Sequence, residues 1–97
     1  MLYPPMGEWD ILKAAISECG EKHQIIIAIE ELSELIKELT KYLRNGDNEE
    51  HLTEEMADVY IMLEQLLIMF NNREKVTEYE QLKLSRLWQR LHDGTDL

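Results

Sequence analysis

Apolar residues recur along this chain at three- and four-residue intervals, and the pattern divides into four helical segments with no strand, repeat, linker or low-complexity stretch. From about Glu8 to Glu18, Trp9, Leu12, Ala15 and Ile16 share one side of a helix, and Gly20 supplies its stop. Lys22 to Leu43 reads as a long helix closed by Asn45-Gly46. Its residues Ile25, Ala28, Ile29, Leu32, Leu35, Ile36, Leu39 and Leu43 make one broad apolar stripe. Asp47, with Glu50 three residues on, has the spacing of a capping box and opens a second long helix to about Asn71. The stretch Val59 to Phe70 is apolar nearly all the way round, so that helix needs cover on more than one side. Asn71-Asn72-Arg73 reads as a turn. Thr77 with Glu80 repeats the capping-box spacing before a last helix from about Glu78 to Leu91.

The expected fold class is therefore all-α, a helical bundle with two long central helices and two shorter outer ones. Residues 1–97 make one domain, with 1–7 as an extended lead-in around Tyr3-Pro4-Pro5, placed to lie over a neighbour, and 93–97 as a frayed tail. A chain of 97 residues buries only a modest core by itself. Together with the all-round apolar helix, this predicts completion by oligomerisation, as a homodimer or homotetramer.

Twenty acidic against ten basic residues give a formal charge of -10. That balance argues against a nucleic-acid backbone or an anionic membrane as partner. At 44% hydrophobic the chain is not compositionally disordered. The single cysteine, Cys19, cannot form an internal disulfide and reads as a small, semi-buried residue near a turn. The N-terminus lacks a secretory pattern, so a cytoplasmic location is the default expectation.

The acids are not scattered. Glu31 with Glu34, and Glu55 with Asp58, are pairs three residues apart, so each pair can aim both carboxylates at one spot from one helix face. Two such helices side by side would form a nest of like charges that a hard cation stabilises. No lysine or arginine stands four residues after Glu31 or Glu34 to relieve the charge: Leu35 and Glu38 occupy those positions. Ile27 among the acids, and Met62 and Gln65 on the side of Asp58, predict a partly dry cleft. On the last helix Lys83, Arg86 and Arg90 form a basic face. Lys83 and Arg86 are candidates to touch an anionic substrate, or a solvated face paired with Glu80. Gln24 is either a substrate contact or a helix cap. His23, His51 and His92 carry no assigned role, and Trp9, Trp88, Tyr42 and Tyr60 could stack on a base but at helical spacing read as core.

Glu30-Glu31-x-x-Glu34, twenty residues, then Glu55-x-x-Asp58 resembles the EExxE and ExxD signature of the MazG-like, all-α nucleoside triphosphate pyrophosphohydrolases. The likeness spans roughly Gly20 to Arg86, with Gly20-x-x-x-Gln24 before the acidic helix and Lys83-x-x-Arg86 after it. The resemblance implies Mg²⁺, with Mn²⁺ as an alternative, held by Glu31, Glu34, Glu55 and Asp58. It also implies cleavage of a (d)NTP between the α and β phosphates to monophosphate and pyrophosphate, with Glu34 or Glu30 as general base. A dUTPase, dCTPase or phosphoribosyl-ATP pyrophosphohydrolase specificity fits the same signature. The alternative from a different class is a non-catalytic acidic helical interaction protein.

Overall fold

A computed structural model describes residues 7–94 of the chain. The lead-in over residues 1–6 and the last three residues of the tail lie outside that span. Four helices follow one another: α1 Glu8–Cys19, α2 Glu21–Arg44, α3 Glu49–Phe70 and α4 Arg73–Asp93. No strand occurs among the described residues.

Gly20 ends α1 and starts α2. Its N–H donates to the Ile16 carbonyl (2.8 Å) and its own carbonyl accepts from Gln24 N–H (3.0 Å), at a φ of 93° that an L side chain would resist. The capping boxes read from sequence do not form. Helix α3 starts at Glu49 after Asn48, and α4 starts at Arg73, five residues earlier than the Glu78 expected from Thr77 and Glu80. The Thr77 hydroxyl instead donates back to the Arg73 carbonyl (3.0 Å) inside the helix. The outer helices are thus unequal. α1 has 12 residues, while α4 has 21 and rivals the 22 of α3.

Helices α1, α2 and α3 pack on one another, and α4 does not join that layer. No residue of α4 is buried; it is tied to α3 at its root by an Arg73–Glu64 ion pair. The radius of gyration, 16.8 Å, accordingly exceeds the roughly 12–13 Å of a compact chain this long.

The buried apolar residues are Leu12 of α1, Ala28 of α2, and Val59 and Met62 of α3. Most of the apolar stripe of α2 is not among them: Ile29, Leu32, Ile36, Leu39 and Leu43 are exposed. Gln24, Ala28, Glu31, Leu35 and Glu38, about a third of a turn round the helix, face α3 instead; Gln24, Ala28 and Glu38 are buried and Glu31 and Leu35 half-buried. Trp9, Trp88, Tyr42 and Tyr60, read from sequence as core, are exposed, as is Cys19. Trp88 stacks on His92 at the surface of α4.

Candidate metal centre

Three polar rungs join α2 to α3, and their positions on α2 are seven residues apart. Seven residues are close to two turns, so Gln24, Glu31 and Glu38 line up along one face. Their partners descend along α3 as the α2 numbers rise, which is the register of two antiparallel helices. At the first rung the Gln24 side-chain amide donates to the Gln65 side-chain oxygen at 2.8 Å, both residues buried. At the third, the Asn48 amide donates to the Glu38 backbone carbonyl (3.0 Å) and to its carboxylate (2.9 Å). The middle rung holds only carboxylates.

There Glu31 meets Glu55 and Asp58, one oxygen of each lying within 4.8 Å of the others. Glu31 and Glu55 are half-buried and Asp58 is exposed, so the cluster opens to solvent on one side. Glu31 Oε2 and Glu55 Oε2 are buried with no hydrogen-bond partner. Two acceptors facing each other leave both unsatisfied, which costs free energy unless a proton or a cation lies between them. Burial, followed by the close approach and charge of the Glu55 carboxylate and then of Asp58, pushes the Glu31 carboxyl from 4.5 up to about 7. The third rung behaves in the opposite way. There the Asn48 amide, and secondarily Lys41, hold the Glu38 carboxyl below its ordinary value.

The donor set suits Mg²⁺, which prefers hard oxygen ligands and keeps some of its waters. One oxygen from each of the three side chains within 4.8 Å of the others is close enough for a single hard cation to be shared among them. The two orphaned oxygens are the acceptors such an ion would satisfy.

The other residues singled out from sequence fall in different places. Glu34 is exposed, one turn beyond Glu31, and is not in the three-carboxylate group; Glu30 is exposed as well. Gln24 is buried, its amide on Gln65 and its oxygen 2.8 Å from His23 Nδ1. Ile27 is half-buried and Met62 buried, as a partly dry cleft requires. Lys83 and Arg86 are exposed on α4, which does not pack against α2, so a single chain does not bring them to the carboxylates. Neither makes an ion pair with Glu80 among the described residues. Asn48 and Gln65 were not singled out from the sequence as members of this ladder. The seven-residue recurrence of polar residues at 24, 31 and 38 is the signal that marks it.

No protein-family model, curated protein or solved structure matches the chain.

Proposed function

We propose that this protein is a Mg²⁺-dependent nucleotide pyrophosphohydrolase that cleaves a (d)NTP between the α and β phosphates. The observation that carries the reading is the convergence of Glu31, Glu55 and Asp58, with two buried carboxylate oxygens left without partners. These three side chains would hold the metal from two helices, with the exposed Glu34, one turn along α2 from Glu31, as the fourth carboxylate of the set. When bound, the metal neutralises phosphate charge and lowers the pKa of the attacking water. Glu34 or Glu30, both exposed beside Glu31, takes up the water's proton. The working unit is a homodimer or homotetramer, in which Lys83 and Arg86 of α4 meet the phosphates.

The test is pyrophosphate release from a panel of (d)NTPs, with and without Mg²⁺ and again with Mn²⁺. Turnover that needs the metal, and falls on the order of a hundredfold or more in Glu55→Gln and Asp58→Asn, is the expected result. Comparing Glu34→Gln with Glu30→Gln assigns the base. Absence of turnover for every nucleotide, together with a melting point that does not respond to Mg²⁺, would overturn this reading and favour a non-catalytic interaction protein.

A further inference from the structure

The exposed face of α2 has the sequence pattern of a two-stranded helical seam. Ile29, Leu32, Ile36, Leu39 and Leu43 are spaced three, four, three and four residues apart, with half-buried Ile25 four residues before Ile29. In heptad terms the a positions are Ile29, Ile36 and Leu43 and the d positions Ile25, Leu32 and Leu39. Ile29 and Ile36 at a with Leu32 and Leu39 at d are the combination that favours pairing of two helices over higher orders, and only the end positions Ile25 and Leu43 depart from it. These side chains are not part of the chain's own core: Ile29 is 58%, Ile36 65% and Leu43 86% exposed.

We infer that α2 is the interface with a second copy of this chain, the two helices pairing along Ile29, Leu32, Ile36, Leu39 and Leu43. Charge supports a copy of this seam as occupant. The e positions beside it are Ile26, Ser33 and Thr40, so no charge is desolvated along that edge. The Ser33 and Thr40 hydroxyls already donate to the Ile29 and Ile36 carbonyls of their own helix, at 2.8 and 2.9 Å, and need no partner across the interface. On the other edge Ala28 is buried, Leu35 half-buried and Tyr42 exposed, again without a charge. A self-complementary stripe is what a two-fold axis requires. Two such stripes face to face bury on the order of 1,000 Å², the area at which specific interfaces begin. Glu31 lies about a third of a turn from the seam, so pairing leaves the carboxylates open. The inference names the surface of the oligomer proposed above, and it stands or falls without the activity.

The test is mass in solution by light scattering, at tens of micromolar chain. Wild type is expected at twice or four times the 11.5 kDa chain mass. Leu32→Glu with Ile36→Glu is expected at half the wild-type mass with its circular-dichroism helicity retained, because both positions are exposed within one chain. Ser33→Arg with Thr40→Arg, at the edge, is expected to raise the dissociation constant at least about tenfold, and Ile36→Val to leave the mass unchanged. A monomeric wild type overturns the inference. So does a wild-type mass that persists in both charged variants, or one lost only on Leu84→Asp in α4. Pyrophosphate release read on the same samples reports separately on the activity.

Discussion

The Gln24 side-chain amide donates to the Gln65 side-chain oxygen at 2.8 Å across the α2–α3 interface, forty-one residues apart in sequence, with both residues buried. Removing one partner strands the other. Gln65→Ala is expected to cost about 1–3 kcal/mol in chemical denaturation, while Gln24→Leu with Gln65→Leu is expected to be nearly neutral, since no buried amide is then left unpaired. A double-mutant cycle measures the coupling.

Glu38 sits at the other end of the ladder, where Asn48 binds both its carbonyl and its carboxylate. Its lowered carboxyl value means that stability from this contact is present above the ordinary carboxylate range and is lost as the pH falls through the folded value. Asn48→Ala is expected to lower the melting point by several degrees at pH 7 and by less in acid, with the Glu38 resonance titrating at higher pH by NMR.

Glu31 carries the opposite sign. The metal-free folded protein keeps a proton to about pH 7 that the unfolded chain gives up near 4.5. The stabilising contribution is full below 4.5 and is lost as the pH rises to 7. Subtracting the melting curves of Glu31→Gln from wild type should expose a decline across that window. Mg²⁺ has to displace the proton, so the metal-induced shift should be larger at pH 8 than at pH 6.

Relieving the crowding should separate stability from metal binding. Glu55→Gln is expected to raise the metal-free melting point by removing one of three converging charges. The same variant is expected to lose the Mg²⁺ response, which in wild type would amount to about 2.7 kcal/mol at a hundredfold excess over Kd. A Mg²⁺ shift retained at wild-type size would exclude Glu55 as a ligand.

Helix α4 buries no side chain and stands outside the layer formed by α1, α2 and α3, tied to α3 at its root by Arg73 and Glu64. Its amides are expected to exchange with solvent faster than those of α2 and α3 by mass spectrometry, and to slow only when α4 gains a partner.

The helices were legible because their periodicity is local: Gly20 and Asn45-Gly46 end α1 and α2 where the spacing predicts. The starts of α3 and α4 were less so. Asp47-x-x-Glu50 and Thr77-x-x-Glu80 have capping spacing, but tertiary demands took precedence. Asn48 is drawn to Glu38, and Arg73 begins α4 at once to reach Glu64. Glu31, Glu55 and Asp58 could be picked out from three-residue spacing. Glu34 could not be excluded from their group that way, because its side chain differs by 60° around α2 and only α3 decides which side is inside. The largest misreading to guard against is orientation. Hydropathy alone favours the isoleucine stripe of α2 as its inner face, yet the polar ladder occupies that face.

The seven-residue period of that ladder sets what the chain can tolerate in length. Inserting or deleting one residue between Gln24 and Glu38 turns everything beyond it by about 100°, breaking at least one rung and splitting the site from its supports. Removing one whole heptad from α2 and its counterpart from α3 deletes a rung and leaves the others in register. For this pair of helices the unit of permissible change is seven residues, matched on both sides.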